Sequence, residues 1–358
     1  MREMNAAEAV PGDAAALSEM VPLRPVSPED LPIRRVRHGK GFVYRDDKGQ
    51  RIVDKTVLQR IRSLVIPPAY RDVRIAAHPR DRLQAVGRDD AGRLQYLYHP
   101  AWDDVREHRK EERLASLCCT LPRIRARVAR AIAQPGLGRE KALAAVVLLL
   151  DRTHIRIGCE DYVHSGRSRG AATLLKRNVR RQGDEVLLCF RGKGGRDMEC
   201  GLEARDFLPV LEQLRRLPGR RLFQYRDDHG KIRHVRSTDA NAYLREIAQA
   251  PVTAKDFRTL AATAMAGERL AALDQAMSPT QRKRQVAAVM KEIAAMLGNT
   301  PAVARKSYVH RRLVDAFEDG TLSDLFKRCR ATRYLSRAEV AVATLFVEKS
   351  GKQRKRGG

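Results

Sequence analysis

The rhythm of apolar and polar positions changes near Trp102: short stretches alternate with a period of two upstream, whereas downstream the apolar residues recur every three or four positions. In the first part, Lys40-Gly-Phe-Val-Tyr-Arg-Asp-Asp-Lys-Gly-Gln-Arg-Ile-Val53 alternates around a Gly-containing turn and predicts a β-hairpin. Asp54 caps a predicted helix over 55–64, with Val57, Leu58, Ile61 and Leu64 on one face and Pro67-Pro68 as its stop. Further strands are expected at 72–77 and 83–88, the second turning through Asp89-Asp-Ala-Gly92 into Arg93-Leu-Gln-Tyr-Leu-Tyr98.

Downstream, the densely charged residues 103–116 are expected to bridge two domains, and helices are predicted at 122–133 and 139–151, the second buried along its apolar middle. Residues 185–190 and 196–202 read as two short strands around the Gly-rich turn Arg191-Gly-Lys-Gly-Gly195. Phe207, Val210, Leu211, Leu214 and Leu217 have helical spacing, as do Val286, Val289, Met290, Ile293 and Leu297. Thr253-x-x-Asp256 and Ser336-x-x-Glu339 are capping boxes that open two more helices. The fold class expected is α+β, a small β-rich domain followed by a larger, mainly helical one. Residues 1–30, rich in Ala, Pro, Glu and Ser without periodicity, read as a disordered leader. The expected boundaries are 31–105 for the β-rich domain, 106–320 for the helical domain, and 321–358 for a last helix with a basic tail.

Composition adds a partner. The 358 residues carry 70 Lys and Arg against 43 Asp and Glu, a net charge of +27 spread along the chain, which points to a polyanion and to nucleic acid first. A membrane is disfavoured, because no apolar run approaches the ~18 residues of a spanning helix, and the charged N-terminal stretch lacks the apolar core of a secretory signal. The six cysteines show no C-x-x-C pair and no nearby C-x-x-H spacing, so neither a zinc site nor a disulfide framework is indicated, and a reduced, cytoplasmic protein is expected.

Four stretches could carry chemistry. Leu297-Gly-Asn-Thr-Pro-Ala-Val-Ala-Arg-Lys-Ser-Tyr308 ends one helix at Gly298, restarts at Thr300-Pro301 and sets Tyr308 among Arg305, Lys306, Arg311 and Arg312. Arg156 follows a buried helix, Lys193 sits on the Gly-rich turn, and Arg258 lies one turn into a capped helix whose N-terminus favours anions. Each alone has an ordinary explanation, as a packed tyrosine, a snorkelling arginine, a solvated lysine or a surface ion pair.

Their order and contexts are more specific. With Lys40-Gly-Phe, Ile66-Pro-Pro-Ala-Tyr70, Gln95-Tyr-Leu-Tyr-His-Pro100, Ile155-Arg-Ile-Gly158, Phe190-Arg-Gly-Lys-Gly194, Lys255-Asp-Phe-Arg-Thr259 and Lys306-Ser-Tyr308, the chain resembles the type IB DNA topoisomerases, in the small poxvirus-like form found in bacteria. The match runs from about Gly39 to Tyr308. The resemblance implies a β-rich DNA-binding domain and a catalytic domain of the type IB topoisomerase/tyrosine recombinase kind, closing as a clamp around duplex DNA. It implies Tyr308 as nucleophile, forming a covalent 3′-phosphotyrosyl link, with Arg156, Arg258 and Asn299 on the phosphate and Lys193 as general acid. Strand rotation and religation would then relax both signs of supercoil. No cofactor is implied: neither ATP nor metal is required, divalent cations at most stimulating product release. The implied protein is a monomer acting on duplex DNA, preferably supercoiled, in the cytoplasm at the nucleoid.

The chemistry agrees with the side chains, since a phenol with a pKa near ~10 needs surrounding positive charge to attack phosphorus. Asn299 departs from the commonest family pattern, which has histidine; an amide can donate to a phosphate oxygen but cannot shuttle a proton. Gln95, Tyr96 and Tyr98, with Lys255, match DNA-contacting positions, and alternation puts the two tyrosines on one face of the strand and Gln95, whose amide suits adenine, on the other. A tyrosine recombinase is the nearest rival, but Lys255-Asp-Phe-Arg258 stands in place of its usual His-x-x-Arg. A DNA-architectural protein would need only the charge.

Overall fold

The computed structural model describes residues 23–161, 163, 168–275 and 278–354. The chain divides into two compact units, residues 1–109 and 110–358. Most of the expected leader, residues 1–22, lies outside the described residues, as does 355–358 of the basic tail. Residues 23–30 are ordered: Arg24 bridges to Asp81, and a 3-10 turn forms at Pro28–Asp30.

The first unit is an antiparallel sheet in the order β2-β1-β3-β4-β5, with β1 Ile33–His38, β2 Gly41–Arg45, β3 Arg71–Ile75, β4 Leu83–Arg88 and β5 Leu94–Tyr98. Ile33, Val73, Ile75 and Ala85 pack with Ile61 of helix α1, Lys55–Ser63, on one face. Leu83 and Val86 pack with Leu31 on the other. α1 starts where expected because the Asp54 carboxylate accepts the backbone N–H groups of Thr56 (2.7 Å) and Val57 (3.2 Å). The hairpin expected over 40–53 is corrected. β2 pairs backward with β1 across the tight turn at Gly39-Lys40, through Arg34↔Arg45 to His38↔Gly41, whereas forward only Arg45↔Arg51 bridges. With Asp54 already committed to capping α1, the return arm has no length in which to become a strand.

Helix α2, Pro100–Ala133, runs through the charged stretch and through Pro122 without a break, where a separate helix beginning at Pro122 was expected. Pro122 removes one backbone donor, yet the buried side chains Leu114, Leu117, Leu121, Ile124 and Val128 continue one apolar stripe past it, so packing outweighs the local loss. α3, Arg139–Thr153, is the centre of the second unit, with Ala142 to Val147, Leu149 and Leu150 almost wholly buried. Around it lie a three-stranded sheet in the order β6-β7-β8 (Val179–Gln182, Glu185–Arg191, Asp197–Glu203), α4 Ala204–Arg216, the strand pair β9 Gln224–Arg226 and β10 Ile232–His234, and α5 Ser237–Ala248. α6 Ala254–Ala271, α7 Pro279–Leu297, α8 Pro301–Ser307, α9 Arg311–Glu318, α10 Leu322–Arg328 and α11 Arg337–Arg354 follow. Leu322, Phe326, Val342 and Phe346, beyond residue 320, belong to the same core as α3 and α6. Phe326 lies so close to Gly267 of α6 that a Cβ there would stand 2.7 Å from its ring. The architecture is α+β. Among the described residues no helix is long and apolar enough to cross a membrane.

Candidate active site

The site is assembled from three chain reversals in the second unit. α3 ends with His154 in the left-handed region (φ 55°). The next residues run beside 170–172, Ala171 N–H donating to Arg156 O and Ala172 N–H to Ile157 O, both at 2.8 Å. Only glycine fits at 158 in that pairing: its φ is +79°, and a Cβ would lie 2.7 Å from Thr173 Oγ1 and 2.8 Å from the Gly170 nitrogen. This fixes the backbone on both sides of Arg156.

The second reversal is the α7–α8 break. Gly298 closes α7 at φ +62°, where a Cβ would also strike Met198 Sδ at 2.6 Å. Thr300 then caps α8, its Oγ1 accepting from Val303 N–H at 3.3 Å, with Pro301 at the first helical position. Asn299, between the two helices, is thereby held: its N–H donates to Ala294 O (2.8 Å) and its carbonyl accepts from Arg196 Nη1 (2.9 Å). α8 ends at Ser307, and Tyr308 is its C-terminal cap.

The third element is the start of α6. The Asp256 carboxylate accepts from Thr253 N–H and Oγ1, both at 2.8 Å, so the expected capping box forms and delivers Arg258 one turn later. Arg258 is only 3% exposed. Its Nη1 donates to His154 O and its Nη2 to Leu297 O (2.9 Å), which ties α3 and α7 to α6 at one guanidinium.

These elements bring Arg156, Arg258, Asn299 and Tyr308 together. Arg156 Nη2 donates to Asn299 Oδ1, and the Arg258 guanidinium carbon stands 5.0 Å from the centre of the Tyr308 ring. Thr263 Oγ1 holds the Tyr308 carbonyl at 3.1 Å. Burial pushes the Tyr308 phenol up, but the charges of Arg258 and Arg156, with a smaller contribution from Lys255 on the first turn of α6, outweigh it and leave the pKa below its ordinary 10. Two buried donors in this cluster have no protein partner, Arg258 Nε and Asn299 Nδ2. Because Asn299 Oδ1 is engaged by a cation, its amide orientation is set and the unused group is a donor.

Lys193 is placed differently. It sits exposed at the tip of the β7–β8 turn, whose Arg196 and Met198 contact Asn299 and Gly298, so the same hairpin that carries the lysine is anchored to the site. In the first unit, Tyr96 and Tyr98 share a face of β5, as alternation requires, with ring centres 6.3 Å apart. Gln95 Nε2 donates to the Asp89 carboxylate at 2.9 Å. The acceptors His154 O and Leu297 O, with Thr263 and Arg196, were missed in the sequence; a backbone carbonyl carries no sequence signal.

The description "Eukaryotic DNA topoisomerase I, catalytic core" matches residues 100–330, well over half the chain, and "Bacterial DNA topoisomerase IB, N-terminal domain" matches 41–89. The chain is 29% identical over 295 residues to a DNA topoisomerase 1B of Acanthamoeba polyphaga mimivirus, covering 80% of this chain and 88% of the relative. It is 22% identical over 257 residues to the DNA topoisomerase 1B of vaccinia virus (strain Copenhagen) and to the DNA topoisomerase I of monkeypox virus, in each case covering 71% of this chain and 79% of the relative. The chain belongs to the type IB DNA topoisomerases, a family of isomerases.

Proposed function

We propose that this enzyme relaxes positively and negatively supercoiled duplex DNA by cutting one strand through Tyr308, letting the helix rotate, and resealing it. The Tyr308 Oη attacks phosphorus and the P–O5′ bond breaks, leaving a 3′-phosphotyrosyl link and a free 5′-hydroxyl. The phenol proton is lost to solvent, and the Lys193 ammonium donates one to the departing 5′-oxygen. Religation reverses both steps, so the phosphodiester energy is conserved and no ATP is needed. Arg156, Arg258 and Asn299 hold the non-bridging oxygens, where charge develops. Three cationic or amide donors occupy the place a metal would otherwise fill, so activity in EDTA is expected. Supporting this reading above all is the pair of unspent buried donors, Arg258 Nε and Asn299 Nδ2, in the cluster that lowers the Tyr308 pKa. An unpaired donor in a protein interior costs ~1–3 kcal/mol unless a ligand uses it.

In the same proposal the first unit grips the duplex, with Gln95, Tyr96 and Tyr98 toward the bases and Lys255 on the backbone, the two units acting as a clamp. The protein acts as a monomer at the nucleoid. The test is plasmid relaxation in EDTA by wild type and Tyr308→Phe. Relaxation of both signs by wild type alone supports the proposal; binding without relaxation indicates an architectural protein, and recombinant products without simple relaxation a recombinase.

A further inference from the structure

α8 spans only Pro301–Ser307, and Tyr308, whose N–H donates to Ala304 O at 3.0 Å, is the residue at which it ends. The last carbonyls of a helix have no intrahelical partner and need an outside donor. Here that donor comes from α2. Lys110 Nζ donates to Lys306 O (3.1 Å) and to Val309 O (3.3 Å), two carbonyls that straddle Tyr308. The next residue, Glu111, takes the chain just beyond: its carboxylate accepts from Arg312 Nη1 at 2.6 Å and stands 4.0 Å from His310 Nε2. His310 is 4% exposed, and its Nδ1 accepts Arg312 N–H at 3.1 Å, capping α9. Two residues on, Arg113 Nη1 lies 3.6 Å from Asp256 Oδ1, the carboxylate whose other oxygen caps α6 and so places Arg258. One turn of α2 thus touches residues that flank both partners of the tyrosine–arginine contact.

We propose that Lys110, Glu111 and Arg113 form a positioning brace that seats the Tyr308 phenol against Arg258. This rests on Tyr308 being the nucleophile. None of the three touches the reacting atoms; they act through the backbone on either side of Tyr308 and through the cap of α6. Without the brace, α8 loses its terminal donors and the phenol drifts from the guanidinium. A misplacement of about 1 Å costs ~100-fold in rate, and a phenol withdrawn from Arg258 also loses the charge that lowers its pKa.

The test is single-turnover cleavage of a suicide duplex, followed as covalent protein–DNA adduct, for the full-length wild type, Lys110→Met, Glu111→Ala and Tyr308→Phe, with duplex affinity measured in parallel. Lys110→Met and Glu111→Ala are expected to cleave about 10- to 100-fold more slowly than wild type at neutral pH, with duplex affinity retained. The deficit should shrink as the pH approaches the ordinary phenol value of ~10, because the displaced phenol needs more alkali to ionise. A merely structural loss would reduce cleavage by the same factor at every pH. Should Lys110→Met melt below the assay temperature, Glu111→Gln, which removes only the charge facing His310 and Arg312, carries the same expectation. Wild-type rates with an unshifted pH profile in these variants overturn the brace. Adduct formation by Tyr308→Phe would instead overturn the nucleophile.

Discussion

Replacing Asn299 by alanine separates function from stability in a way that follows from its contacts. The side chain makes one bond, accepting from Arg156 Nη2, and leaves one buried donor, Nδ2, unsatisfied. A bond to a charged partner contributes ~1.5–3 kcal/mol and an orphaned buried donor costs ~1–3 kcal/mol. Asn299→Ala removes both, so the two largely cancel and the folded state should change by about 1 kcal/mol or less. In the proposed reaction the balance differs, because there Nδ2 would meet the developing charge on the phosphate. Losing one such donor costs ~2.7–4 kcal/mol, a 100- to 1,000-fold slower cleavage, and the freed Arg156 adds to the loss. Asn299→His keeps a ring N–H donor and should lose less. The assay is the rate of covalent adduct formation on a suicide duplex, with thermal unfolding measured on the same preparations. Equal cleavage rates in wild type, alanine and histidine proteins would remove Asn299 from the site, and an alanine protein that is slow only because it is unfolded would refute the cancellation.

Gly298→Ala should destabilise by ~1–2 kcal/mol through the left-handed backbone alone, with more from the clash at Met198; adding Met198→Ala should relieve only the clash, leaving the backbone share in thermal unfolding. Trp102, the chain's single tryptophan, has the guanidinium groups of Arg82 and Arg109 at 5.1 and 5.3 Å from its ring centre, so its emission should change when duplex DNA draws those arginines to phosphates. In a salt titration Arg82→Ala should then reduce the slope of log K against log salt by about 0.9, and an unchanged slope would mean that Arg82 meets no phosphate. Glu339 is the acid to follow in unfolding below pH 5. Burial raises its pKa, but hydrogen bonds and charge from Arg125 and the cap at Ser336 outweigh it, so its folded pKa lies below the unfolded 4.5. Its contribution is complete above 4.5 and is lost as pH falls through the folded value. Arg125→Met should be less stable at neutral pH and lose less on acidification; parallel curves for the two proteins would refute the assignment.

What the sequence made legible were features encoded in single side chains at fixed spacing. Asp54, Thr253 with Asp256, Ser336 with Glu339, Thr300-Pro301 and Gly298 all mark helix ends where they were expected, because each capping contact is local. The tyrosine and the two arginines stood out only through the order of the motifs that resemble the family, and the fold brings all three together. Illegible were the contacts made by backbone or across long separations: the carbonyls of His154 and Leu297 that aim Arg258, and Lys110 reaching residues 306 and 309. The strands β6, β9 and β10 are only three or four residues long and mostly polar, too short to show a period. Pro122 misled because a helix-start signal at the surface is also an affordable flaw inside a well-packed helix.

The way the guanidinium groups are held without being neutralised explains why such a site can stay open for an anion. Among the described residues, acids on the elements around the cluster pair elsewhere: Asp256 with Thr253 and Arg113, Glu111 with Arg312, Asp151 and Glu339 with Arg125. Arg258 and Arg156 donate instead to neutral dipoles, the carbonyls of His154 and Leu297 and the amide of Asn299. A carboxylate in any of these places would have formed a buried ion pair, which a phosphate diester would have to break before binding. Dipoles orient the guanidinium without cancelling its charge, so the full field remains for the phenol beside it and for an incoming phosphate. The cost appears as burial, which lowers the pKa of Arg258 and is opposed by the Tyr308 phenol as it gains negative character. Each group makes the charged form of the other easier to hold, which is the coupling that the proposed role of Tyr308 as nucleophile requires.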